Sequence, residues 1–255
     1  INIIYSYYFN LYLNLDSYVY SLFISFLLGI IFLFKKKDVI KITIYQKIIT
    51  VILGYLFLPI LISIPYYLSI YNVSFLDGYF EAISGFTSTG FSIFNNIKHL
   101  DESIILWRSS SQWLGGLYFL FSIILLINIF DANLKKSLTN FLSFNVAETL
   151  KQYLKIFILY SVLTLLIFTI LNFSGLRIFN AFNLSMTIIS SGGFLPVNNL
   201  TDIINTDAKE IILSILILLS FFSLFLTYNL LTTKKNINLY QEDFYLLIYL
   251  FFIIA

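Results

Sequence analysis

Phe80-Glu81-Ala82-Ile83-Ser84-Gly85-Phe86-Thr87-Ser88-Thr89-Gly90-Phe91 lies between two long apolar runs. It is too short and too rich in hydroxyl and glycine residues to cross a bilayer as a helix, which takes roughly 20 apolar residues. The stretch reads as a loop that dips into the membrane and returns. Non-helical backbone cannot face lipid, because each unsatisfied amide costs on the order of a few kcal/mol, so the dip must line a polar cavity or be buried in protein.

The rest of the chain fits that reading. Of its 255 residues 59% are hydrophobic and 11% charged, with a mean hydropathy of +0.90. That composition belongs to an integral membrane protein. No cysteine is present, so a disulfide framework, a thiolate metal site and a cysteine nucleophile are all excluded. One histidine and a net charge of +2 exclude the concentrated basic face of a nucleic-acid binder. The chain starts at Ile1 and closes on an apolar run of 12 residues, Phe244–Ala255, which leads us to expect a piece of a longer protein.

Hydropathy predicts spans over Tyr18–Phe34, Ile48–Ile70, Ser103–Phe130, Leu154–Phe173 and Ile211–Leu231, with a sixth beginning near Phe244. Ile1–Asp16 fits either an interfacial loop or the stub of a preceding helix. Pro59 and Pro65 sit in the second span, where neighbouring helices can satisfy the freed carbonyls. With Lys35-Lys36-Lys37 inside, 11 of the 15 basic residues fall inside; Lys98, Arg108, Arg177 and Lys209 fall outside. This is the asymmetry of the positive-inside rule, and it turns the dip toward the outside.

Ser174–Val197, containing Ile189-Ser190-Ser191-Gly192-Gly193-Phe194, repeats the dip. Setting Gly90 on Gly192, 102 residues on, places Phe80 on Phe182, Ser88 on Ser190 and Thr89 on Ser191. Each unit reads spanning helix, short helix, glycine loop, spanning helix, so each can line one sector of a central pathway. Ser74 with Asp77 predicts a capped start for the first short helix, which would run to about Gly85 and aim its partly negative end at mid-membrane. Thr87-Ser88-Thr89-Gly90 would then return with carbonyls able to replace the water shell of a cation.

Phe80–Phe91, Trp107-Arg108-Ser109, Gln112-Trp113-Leu114-Gly115-Gly116 and Ser190-Ser191-Gly192-Gly193-Phe194, in that order, resemble the TrkH/KtrB branch of the Trk, Ktr and HKT potassium transporters. The resemblance runs from about Ile48 to the end of the chain. It implies an all-α integral membrane fold of helix–pore loop–helix units in a pseudo-fourfold cation channel, of which about two units are present. Residues 1–37 would hold an extra amino-terminal helix, 38–135 the first unit, 136–235 the second and 236–255 the start of a third. It implies a selectivity filter in which the carbonyls of Thr87, Ser88, Thr89 and Gly90 and of Ile189, Ser190, Ser191 and Gly192 supply half. In related plant transporters a serine at the first filter glycine goes with sodium preference; glycine at both positions here favours potassium. Ser88 and Ser191 stand where threonine is commoner in the family. The resemblance further implies potassium as the transported ion with no other cofactor, a multi-pass protein of the inner membrane, a homodimer, and a cytosolic nucleotide-binding regulatory subunit.

Other candidates weigh less. His99 with Asp101 and Glu102 reads as a solvated loop rather than a metal or acid–base site. Glu81 either polarises the pore mouth or bonds to neighbouring backbone. Arg108 either pairs with Asp101 or Glu102, the preferred reading, or influences cation entry; Asp131 reads as an interfacial residue rather than a proton relay, and Gly115-Gly116 is expected to allow close helix packing. A membrane enzyme would need a convergent nucleophile, base or metal set, and the spans contain none. A nonconducting scaffold, or a truncated inactive paralogue, is the alternative to potassium uptake.

Overall fold

The computed structural model describes residues 1–34, 43–126 and 149–221. The expected end of the third span, Asp131, the lysines at 35–37, 135, 136, 234 and 235, and the third unit all lie outside the described residues. Those that are described form helices and connecting loops, with no strand among them. The helices are α1 (Asn2–Tyr8), α2 (Leu15–Phe34), α3 (Ile44–Tyr67), α4 (Phe75–Phe86), α5 (Glu102–Leu126), α6 (Thr149–Phe173), α7 (Ile178–Ser190) and α8 (Asp207–Phe221).

Among the described residues, four segments are long and apolar enough to cross a membrane: Tyr12–Ile31, Ile44–Tyr67, Glu102–Leu126 and Tyr153–Phe173. Their outer faces carry large exposed apolar side chains such as Leu22, Phe23, Phe26, Phe57, Phe119 and Ile158. Lipid is the solvent such faces require. The amino terminus is a short helix and a 3₁₀ turn tied to the top of α5. Asn2 Nδ2 donates to Ser103 O at 2.8 Å, Asn14 Nδ2 to Asp101 Oδ2 at 3.3 Å, and Tyr18 Oη to Ser103 Oγ at 3.0 Å.

Helix α3 starts on a capping box in which Thr43 and Gln46 bond reciprocally, a device that stabilises a helix start by about 1 kcal/mol. Pro65 has no N–H for Leu61 O, and that carbonyl accepts from Ser21 Oγ of α2 at 3.1 Å instead. Nearby, Ile62 O accepts from Trp107 Nε1 at 2.9 Å. The neighbouring helices therefore do satisfy this stretch of α3, as expected of a proline inside a span.

The two short helices fill the space between the long ones. Helix α4 packs between α3 and α5, and α7 between α5 and α6. Ala82, Phe86, Ile62, Tyr66 and Ile104 share the core of the first unit; Ala181, Leu184, Ile188, Ile167 and Leu213 share that of the second. Leu117, Ile124, Ile156 and Tyr160 form the seam between α5 and α6. Helix α5 thus belongs to the first unit by sequence and to both by packing, which decides where the site lies.

Candidate functional site

Each short helix ends in a loop of the same backbone shape. Helix α4 is capped by Ser74, whose Oγ accepts from Asp77 N at 3.2 Å, as its sequence predicts. At its far end Ser88 N donates to Gly85 O at 3.0 Å, Thr89 N to Ser84 O at 2.9 Å, and Ser84 Oγ to Phe91 O at 2.6 Å. In the second loop Ser191 N donates to Ile188 O at 3.0 Å, Gly192 N to Thr187 O at 2.9 Å, and Thr187 Oγ1 to Phe194 O at 2.9 Å. The dihedrals match in step: φ is +55° at Ser88 and +53° at Ser191, then +81° at Gly90 and +82° at Gly193.

These pairs are 103 positions apart, from Gly90 to Gly193, one more than the register that sets Gly90 on Gly192. The correction moves the equivalent of Thr87-Ser88-Thr89-Gly90 to Ser190-Ser191-Gly192-Gly193. Ile189 becomes the counterpart of Phe86. It lies in the last turn of α7, half-buried in the apolar clusters, as Phe86 lies buried at the end of α4. Both residues are apolar anchors beneath a loop.

The two loops touch. A β-carbon at Gly90 would come 2.7 Å from Gly192 O and 3.3 Å from Gly193 Cα, so only glycine allows this approach, and its left-handed φ makes the same demand. Farther out, Asn198 Oδ1 accepts from Ile97 N at 2.7 Å, Asn198 Nδ2 donates to Asn96 Oδ1 at 2.9 Å, and Lys98 pairs with Asp202 at 3.3 Å.

Behind the loops stands α5. Arg108, 1% exposed, donates from Nε to Glu81 Oε1 at 2.7 Å and from Nη2 to Ser92 Oγ at 2.9 Å. Glu81, fully buried, also accepts from Ser92 Oγ at 3.0 Å and from Ile93 N at 2.8 Å. On its other side Arg108 Nη1 donates to Leu195 O at 3.4 Å, and the guanidinium lies 4.3 Å from the centre of the Phe194 ring. The expected pairing of Arg108 with Asp101 or Glu102 is therefore wrong. Arg177 takes Glu102 at 2.8 Å, and Asp101 receives Ser103 Oγ at 3.0 Å. Those two acids lie at the start of α5, while Arg108 faces the loops, where an unpaired glutamate would be far costlier.

One turn further along α5, Gln112 holds the second loop. Its Nε2 donates to Gly192 O at 2.5 Å; its Oε1 accepts from Thr187 Oγ1 at 3.0 Å and from Phe194 N at 3.3 Å. A β-carbon at Gly192 would fall on the Gln112 amide, which explains why glycine stands here and threonine at the matching position 89. Gly115 and Gly116 divide the same labour. A β-carbon at Gly115 would collide with Phe86 O at the end of α4; one at Gly116 would collide with the Tyr160 hydroxyl of α6 and press on Ser190, 3.0 Å away, at the end of α7. The close packing expected of this pair is present, and it involves both short helices. Trp113 Nε1 donates to Thr164 Oγ1 of α6 at 2.9 Å. His99 lies exposed in a 3₁₀ turn, and among the described residues no group of three or more His, Cys, Asp or Glu is arranged to hold a metal.

Sequence reasoning found the loops and missed how they are held. The available signal was the spacing of Arg108 and Gln112, four residues apart and so on one helix face, together with a glutamate in a short helix inside a membrane protein, which demands a partner.

Spanning helices, short inserted helices and paired glycine loops define a multi-pass membrane protein built from repeated helix–loop–helix units. The Trk system potassium uptake protein TrkG of Escherichia coli is 26% identical over 256 residues, covering 92% of this chain and 52% of its own. An uncharacterized cation transporter of Methanocaldococcus jannaschii is 32% identical over 182 residues, 68% of this chain and 36% of its own. These matches make the chain similar to TrkH-type potassium transporters. Its fold is shared by the crystal structure of the potassium transporter TrkH from Vibrio parahaemolyticus, with a TM-score of 0.65 at 20% identity over 79% of this chain and 41% of that one. The chain spans between about a third and a half of the length of these relatives, from 36% to 52%. No protein-family profile matches it. The relatives are transporters and not enzymes.

Proposed function

We propose that this chain forms part of the wall of a potassium uptake pathway across a cell membrane. The observation that carries the proposal is the pair of equivalent loops, alike in the sign and size of φ at two positions, that meet at Gly90 and Gly193. In this reading the carbonyls of Thr87, Ser88, Thr89 and Gly90 and those of Ser190, Ser191, Gly192 and Gly193 replace part of the water shell of the ion. Helices α4 and α7 end at the loops, and their carboxyl-terminal partial negative charge favours a cation there. The names of the relatives as potassium uptake proteins support the choice of ion. One lone pair of Gly192 O is taken by Gln112, which leaves the other for an ion.

The loops face outside in this proposal, as the lysine distribution favours. The units comprise residues 38–135 and 136–235, with an additional helix ahead of them in 1–37 and a third unit opening in 236–255. The complete protein is a homodimer in the inner membrane and works with a cytosolic nucleotide-binding subunit. The test is growth of an uptake-deficient bacterium on limiting potassium, rescued by the complete gene, with rubidium flux measured in parallel. Rescue with flux supports uptake. A protein that reaches the membrane without rescue or flux is a nonconducting scaffold or an inactive paralogue.

A further inference from the structure

We infer that Arg108 and Gln112 act together as a two-loop clamp that sets ion selectivity from behind, as positioning residues that never touch the ion. The inference rests on the reading of the loops as the ion path. The geometry is asymmetric in an informative way. Arg108 reaches the first loop through Glu81 and Ser92 and the second through Leu195 O and the Phe194 ring. Gln112 reaches only the second unit, but at three points: Gly192 O and Phe194 N of its loop and Thr187 Oγ1 of α7. Both side chains project from one helix, so one rigid element fixes the spacing between Gly90 and Gly193.

Carbonyl coordination discriminates ions of one charge by the positions and field of the oxygens, whichever of the two dominates. Displacement of one loop against the other changes both. A residue that holds that spacing therefore determines selectivity as surely as a ligand does. The charges are themselves evidence of purpose. A buried arginine–glutamate pair adds little stability over a well-packed apolar pair, and its best attested use is to fix one arrangement among several. Helix α8, the counterpart of α5 in the second unit, contains neither arginine nor glutamine over residues 207–221.

The test uses the complete protein in vesicles and reads the rubidium-to-sodium flux ratio alongside the amount of folded protein. Gln112→Leu, which cannot donate to Gly192 O, is expected to lower the ratio by on the order of tenfold, since it leaves buried groups unpaired, and the volume-preserving Gln112→Glu is expected to lower it whenever its carboxyl is ionised and so unable to donate. Arg108→Lys, which keeps the charge but loses the forked reach, is expected to lower it less than Arg108→Gln. Hydrogen exchange gives a second readout. The Phe194 amide is expected to lose protection in Gln112→Leu while that of Ile93 keeps it, and the converse is expected in Glu81→Gln. If the variants are merely less abundant and the surviving protein keeps the wild-type ratio, the clamp is overturned while the ion path stands. If the wild-type protein shows no selective flux, the ion-path reading falls first and this inference falls with it.

Discussion

The first and second loops have one backbone and two means of support. The first is held from within its own unit: Glu81 of α4 receives Ile93 N and Ser92 Oγ, and Phe91 stands 68% exposed. The second is held by the preceding unit: Gln112 of α5 receives Phe194 N, and Phe194 is 2% exposed beneath Arg108. A repeat therefore conserves dihedrals while its side-chain scaffolding diverges. Thr87-Ser88-Thr89-Gly90 and Ser190-Ser191-Gly192-Gly193 differ most at Thr89 and Gly192, where the Gln112 amide occupies the space of a β-carbon.

The largest expected difference between the loops is at the paired charges. Arg108→Gln leaves Glu81 buried and unpaired, a loss of about 3–5 kcal/mol, and thermal unfolding in detergent is expected to show it as a large fall in Tm. Gly90→Ala and Gly193→Ala come next and separate the loops directly. Both place a side chain at a left-handed φ, which costs roughly 1–2 kcal/mol, but only position 90 also collides with a carbonyl, that of Gly192. Gly90→Ala is expected to impair flux more than Gly193→Ala, and equal effects would mean that the loops do not meet. Gly90→Ser is likewise expected to reduce the potassium-to-sodium flux ratio far more than Ser88→Thr, because Ser88 already has a β-carbon at φ +55° and gains only a methyl group. The smallest effect is expected at the exposed Arg177–Glu102 pair. Arg177→Gln should change stability by about 0–1 kcal/mol and leave the flux ratio unchanged.

Much of this was legible in the sequence, for identifiable reasons. Spans are legible because lipid demands long apolar runs, and the start of α4 because the Ser74 hydroxyl caps the free amide of Asp77 and itself donates to the Asp77 carboxylate. The repeat was legible to within one residue. Gly192 and Gly193 are adjacent and chemically identical, and the backbone dihedrals and loop hydrogen bonds show that Gly193 is the counterpart of Gly90. Arg108 was assigned to the acids nearest in the chain, whereas its partner lies 27 residues away on α4. Sequence proximity is a poor guide once a helix turns its charged residues inward. The roles of Gly115 and Gly116 were half legible: small residues announce close packing, but not that each glycine faces a different short helix.

The central claim is that the two loops form one ion-coordinating wall in the register that pairs Gly90 with Gly193. Thallium soaked into crystals of the complete protein, located by anomalous scattering, tests it most directly. Peaks are expected between the carbonyls of Thr87–Gly90 and Ser190–Gly193. Peaks placed against Ile189 O, or a strong site elsewhere with none between the loops, would contradict it.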